Sequence, residues 1–213
     1  MLTRRHIRIK VMQSLYSLSH EGKQNLNDQV DFFTESVKKS FDLYYLLISV
    51  FKHIYALAQN KIQLEKKLQR ELSDSFAEKI VKNPYFKFFY EHKIISDYVK
   101  KRKINNWELD SEYINKFYID LTTNPIFLDY SPGLSNENDA LFYINFFKEC
   151  IAPSDMLYDY LEDKQLTWID DFPVINTHIL KQIKLLDIEK IEKINFPVFN
   201  LKSEETLFGI ELL

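Results

Sequence analysis

Residues 30–55 read VDFFTESVKKSFDLYYLLISVFKHIY. Within them Val30, Phe33, Val37, Phe41, Tyr44, Ile48, Phe51 and Tyr55 recur at steps of three and four, the period of one face of an α-helix. Neither Gly nor Pro interrupts the chain from Lys23 to Asn83, so the pattern predicts one long helix over 27–70. Its most apolar run, Leu43 to Phe51, contains Ser49 and is bounded by Asp42 and Lys52. A bilayer span needs about twenty apolar residues, so this run reads as a buried helix segment and a membrane is not an expected partner.

The same reading extends to both sides. Three Gly and six Pro in 213 residues leave few sites for tight turns, which disfavours β-meanders and favours helices joined by short polar links. Apolar residues make up 46% of the chain, and 17 Phe with 13 Tyr supply bulky packing units for a sizeable core. The expected fold class is all-α, a multi-helix bundle. Further helices are expected near residues 4–19, 74–82, 86–102, 110–122, 138–151, 155–163 and 173–186, with a last one starting near 204. The loop Thr123 to Glu137, with Pro125, Pro132 and Gly133, is the candidate subdomain junction.

At the N-terminus, residues 1–16 read MLTRRHIRIKVMQSLY, with Arg4, Arg5, Arg8 and Lys10 and no acid. A helix carries about half a positive charge at its N-terminus, so cations in the first turn cost about 0.3–1 kcal/mol each. Thr3 can cap, but His6 stands where a capping box has Glu or Gln. Ile7, Val11, Leu15 and Leu18 form an apolar stripe, and Met12 and Tyr16 a second pair expected to pack on another neighbour. A docked helix with an uncompensated basic end points to a polyanion, and arginine forks suit phosphate oxygens. A solvated, frayed terminus is the plainer alternative.

The segment RRHIRIKVMQSLY resembles the first helix of the NusB transcription antitermination factors, with Arg4, Arg5 and Arg8 on the family's arginines and Gln13, Leu15 and Tyr16 on its closing motif. VKNPYFKFF, KKRKINNWELD, LEDKQLTWIDDFPVINT and LKQIKLL look like the helical insertion of longer members. The resemblance implies a cytoplasmic, all-helical RNA-binding protein. Such a protein recognises boxA-type nascent RNA together with NusE, a small-subunit ribosomal protein, within the transcription elongation complex. The implied RNA-binding residues are Arg4, Arg5, His6, Arg8, Lys10, Gln13 and Tyr16. The implied organisation is NusB-like N-terminal helices over 1–72, a helical insertion over 73–202, and the start of a truncated C-terminal helix over 203–213. The family's C-terminal motif has no counterpart here, so a fragment or a short paralogue is expected. The alternative is a non-enzymatic helical interaction or scaffold protein that has lost RNA binding.

Net charge is −3, but residues 38–104 carry +8 and residues 105–171 carry −11. Such segregation fits either a nucleic-acid side opposed to an acidic one, or mutual packing of the two segments. YFKFFYEH beside Lys100, Lys101, Arg102 and Lys103 could stack bases; the preferred reading buries Phe86, Phe89 and Tyr90 and leaves the cations on a helix end. Asp159, Glu162, Asp163, Asp170 and Asp171 lack the Gly-assisted spacing of a hard-cation loop and read as structural, with Asp170 or Asp171 capping a helix whose first turn holds Pro173. The single Cys150, in the context NFFKECIA, reads as core, and an isolated thiol fits a reducing compartment. The first residues show no uninterrupted apolar run and no small-residue cleavage site, so export is not expected. His6, His20, His53, His92 and His178 show no HExxH spacing, and the glycines form no phosphate loop. No enzyme activity, metal or cofactor is expected.

Overall fold

In the computed structural model, residues 1–20, 25–68, 75–186 and 196–213 are described, with the side chains of all of these except 18–20 and 75. Among the described residues the chain forms eleven α-helices and no strand, an all-α multi-helix bundle. They are α1 (Arg4–His20), α2 (Leu26–Lys67), α3 (Ser75–Lys82), α4 (Pro84–Glu91), α5 (Lys93–Arg102), α6 (Asn106–Leu109), α7 (Ser111–Thr123), α8 (Asn136–Asn145), α9 (Asp155–Lys164), α10 (Trp168–Lys184) and α11 (Glu204–Glu211). The expected helix ends at residue 70 and near residue 74 lie outside the described residues.

Two compact units form: Met1–Tyr44 with Tyr158–His178 and Asn195–Leu213, and Tyr45–Leu157 with Ile179–Ile194. The division falls inside α2, and the loop 123–137 lies within the second unit. A continuous helix carries no compositional break at such a point; only the neighbours each half packs against decide it. One 18-residue window of α2 is apolar enough to cross a membrane by length and composition, yet 72% of it is buried inside the protein.

The core of the second unit is aromatic. Phe51 on α2 is fully buried and meets the rings of Phe86 at 5.4 Å, Phe89 at 4.7 Å, Tyr143 and Phe146 at 5.9 Å and Phe147 at 6.1 Å between centroids. Phe86 and Phe89 are therefore core, while Lys100, Lys101 and Lys103 stay exposed at the end of α5, where the helix dipole favours cations. Lys103 closes that helix in the left-handed region at φ 56°. The helix expected over 86–102 breaks at His92, which is extended at φ −70°, ψ 113°. No Gly or Pro marks the break. It lets α4 turn its Phe residues onto Phe51 while α5 stacks Tyr98 on Tyr45 at 3.8 Å.

Local polar chemistry punctuates these helices. The Asn83 carboxamide oxygen accepts from the backbone N–H groups of Tyr85 and Phe86, capping α4 ahead of Pro84, as the capping preference predicts. Its amide nitrogen donates to the Tyr130 hydroxyl and the Asp139 carbonyl. Tyr130 donates on to the Asp139 carboxylate at 2.6 Å, which also accepts from the N–H of Gly133; Gly133 sits at φ +77°, where a glycine is favoured. This buried chain of bonds pins the loop 123–137. After α8 the backbone widens into a π-helical turn, Phe146–Ile151, that buries Phe146, Phe147, Cys150 and Ile151 together. Burial, then Asp120 and Glu149, push the Cys150 thiol up to about 12, so it stays protonated at neutral pH and behaves as core.

The imidazoles of His6, His53 and His92 are all held below their ordinary value of 6.5, chiefly by burial. At His53, Lys52 adds to the depression and Glu108 opposes it. Below pH 6.5 the unfolded chain takes up protons that the native state refuses, so stability rises with pH through this window and is lost as pH falls. Thermal melts followed by circular dichroism should give a lower Tm at pH 5.5 than at pH 7.5. His53→Gln should narrow that gap, and an unchanged gap would remove His53 from the account.

Candidate nucleic-acid interface

Helix α1 buries Ile7, Lys10, Val11 and Ser14, which at 100° per residue lie within one narrow arc. Ile7 and Val11 belong to the expected apolar stripe, but Leu15 of that stripe is exposed and the polar Lys10 and Ser14 complete the buried face; the side chain of Leu18 lies outside the described residues. Lys10 is 2% exposed; its Nζ donates to Asp171 Oδ2 on α10 at 2.8 Å and to Ser36 Oγ on α2 at 3.2 Å. Ser40 Oγ donates to the same carboxylate oxygen at 2.7 Å, and Ser14 Oγ returns to the Lys10 carbonyl at 2.8 Å. A buried ammonium needs this set of partners to offset its desolvation. The expectation that Lys10 contacts RNA is thereby corrected: its charge is committed to docking α1. Asp171 is structural, as expected, but as a buried ion-pair partner instead of a cap. Helix α10 begins at Trp168, five residues before the expected start, and the buried Trp168 donates Nε1–H to the Lys39 carbonyl at 2.8 Å. Pro173 therefore lies inside the helix.

This docking sets what faces outward. Arg4, Arg5 and Arg8 are exposed, and Met12 and Tyr16 are each 65% exposed. Met12 and Tyr16, expected to be packed, are thus largely exposed, since the buried arc is centred on the opposite side of α1. Arg5, Arg8, Met12 and Tyr16 share the outward half of the helix. Gln13 Nε2 donates to Asp170 Oδ2 at 2.6 Å. His6 is half-buried and shares a 2.6 Å hydrogen bond between Nδ1 and Thr3 Oγ1. Burial lowers its proton affinity, Asp171 opposes this, and Arg5 and Lys10 add to it, so His6 brings no positive charge at neutral pH.

The acid missing from the start of α1 arrives from the other end of the chain. Arg4 Nη2 donates to Glu204 Oε1 on α11 at 2.7 Å. Both side chains are well exposed, and such a pair contributes about 0.2–1 kcal/mol, so a polyanion can replace it. The guanidinium carbons of Arg4 and Arg8 lie 5.3 and 5.5 Å from the centre of one ring, that of Phe208. Helix α11 is capped by Ser203, whose Oγ accepts from the N–H of Thr206. It faces inward with Thr206 and Gly209. A Cβ at Gly209 would lie 2.1 Å from Phe33 Cζ, so glycine permits the approach of α11 to α2.

The chain matches no protein family, no curated protein and no solved structure. Among the described residues, no three His, Cys, Asp or Glu side chains gather as a metal-ligand set. On α1 three exposed arginines stand on a helix held by a buried ion pair, with an aromatic and a thioether side chain further along its outward face. Glu204 and Phe208 escape sequence reasoning because they lie about two hundred positions from their partners. Only the opening of α11, Ser203 followed by Glu204 and Glu205, is visible locally.

Proposed function

We propose that this protein is an RNA-binding transcription antitermination factor of the NusB type. In this reading it acts in the cytoplasm by binding rather than catalysis, on boxA-like nascent RNA with NusE in the elongation complex. The observation that carries the reading is the exposure of Arg4, Arg5 and Arg8 on a docked helix. Each guanidinium offers a planar fork to phosphate. Tyr16 lies eight residues beyond Arg8, about 12 Å along the axis, within the reach of a strand that places phosphates on the arginines and a base on the ring. His6 and Gln13 flank this track as neutral hydrogen-bonding groups, and Lys10 serves it by holding α1 in place.

The second reading, a helical interaction or scaffold protein, is favoured by the exposure of Met12 and Tyr16, an apolar pair of a kind found at protein interfaces. Fluorescence anisotropy separates the two. A short boxA-like RNA should bind more tightly than its scrambled control. The Arg4, Arg5, Arg8 to Ala triple variant should weaken binding at least about tenfold and flatten the dependence of log K on log salt by about 2, as expected for three lost contacts to a single strand. Binding that ignores both RNA sequence and the substitutions would overturn the RNA reading and leave the scaffold one.

A further inference from the structure

Arg4 and Arg8 stand one turn apart on α1, and both guanidiniums lie near a single aromatic ring supplied by the opposite end of the chain. A long cationic side chain on a helix normally samples many rotamers in water, and freezing them on binding costs conformational entropy. Here the cost is met in part before any ligand arrives. The negative face of the Phe208 ring attracts each guanidinium and offsets the repulsion of two like charges brought to one place.

The ring is itself held. Ser203 caps α11, Thr206 is buried, and Gly209, the residue next to Phe208, lets the backbone settle against Phe33. Phe208 thus belongs to a helix seated by close packing on both sides of it in sequence. The carboxylate of Glu204, at 2.7 Å from Arg4 Nη2, shows that the guanidinium in this position already accepts an oxyanion.

We propose that Phe208 is a positioning residue for polyanion binding: it orders Arg4 and Arg8 into one converged pair, and α11 is therefore a working part of the basic site. This rests on the reading of the basic end of α1 as the binding site, and its substrate class is a phosphate-bearing polymer. The contribution is one of pre-organisation and not of charge, because Phe208 is neutral and remains beneath the cations.

The test has a ligand-free arm. In NMR relaxation of the arginine Nε–Hε groups of the intact chain, Arg4 and Arg8 should be more ordered than Arg5, and Phe208→Leu should bring them down to the Arg5 level, while Phe208→Trp retains the order. In the binding arm, Phe208→Leu should weaken boxA-like RNA about fivefold at every salt concentration without changing the salt slope, Phe208→Trp should bind as the parent does, and Phe208→Leu should add nothing in an Arg4→Ala, Arg8→Ala background. The Tm of each variant, measured alongside, separates this from undocking of α11. Equal order of the three arginines in the parent, or a Phe208→Leu loss that persists in the double-arginine background, would overturn the proposal. Inorganic polyphosphate run in parallel separates it from the RNA reading: ring-dependent binding of polyphosphate without RNA preference keeps Phe208 in its role and removes boxA recognition.

Discussion

Lys10→Ala is expected to destabilise the fold by about 3–5 kcal/mol, because removing one partner of a buried ion pair leaves the other charge uncompensated. The stranded group is the Asp171 carboxylate, which would keep only the Ser40 hydroxyl among the partners seen at its Oδ2. Urea denaturation should show a lower midpoint with an unchanged slope. The double replacement Lys10→Met, Asp171→Leu should cost far less than either single change, since two apolar groups of similar size remove both desolvation terms at once. A Lys10→Ala effect below about 1 kcal/mol would mean that the pair does not seat α1. A helix freed from α2 and α10 no longer presents Arg4, Arg5 and Arg8 as a fixed set, so under the proposed RNA-binding function the affinity should fall with stability even though Lys10 faces inward.

Phe51→Ala should cost a similar 3–5 kcal/mol, for a different reason. Its ring lies among those of Phe86, Phe89, Tyr143, Phe146 and Phe147, contributed by α4, α8 and the π-helical turn. Truncation removes the buried area and opens a void that these three packed segments cannot fully collapse into. Phe51→Leu retains most of the volume and should cost roughly 1–1.5 kcal/mol, which gives a folded variant for comparison. Phe88→Ala, at a half-buried ring on the same α4, should cost less than Phe51→Ala. Equal losses at 51 and 88 would show that area rather than enclosure sets the energy.

Much of the helical framework was legible because helix formation is governed by local pattern and by single punctuating residues. The α2 periodicity and the Ser203 start of α11 each depend on residues within one or two turns. The break at His92 was not legible, since neither residue type nor spacing there differs from a continuing helix. The early start of α10 was likewise hidden: its first residue, Trp168, is anchored to the Lys39 carbonyl, more than a hundred residues away. At the basic end, the exposed arginines of α1 were visible as a cluster, whereas Lys10 looked like one more member of it. Its separation from Arg4, Arg5 and Arg8 required knowing that Asp171, Ser36 and Ser40 converge on one side of the helix.

The amino-acid sequence by itself determined that this protein is helical, where most of its helices run, that Leu43 to Phe51 is buried, and that α1 opens on arginines without a local acid. These follow from backbone propensity and side-chain periodicity, which act over a few residues. Only the tertiary structure decided that Lys10 and Ser14 join the buried face of α1, that the chain divides within α2, and that Glu204 and Phe208 meet Arg4 and Arg8. Those outcomes depend on charge desolvation and ring packing between segments remote in sequence, whose free energies exist only once the segments are brought together.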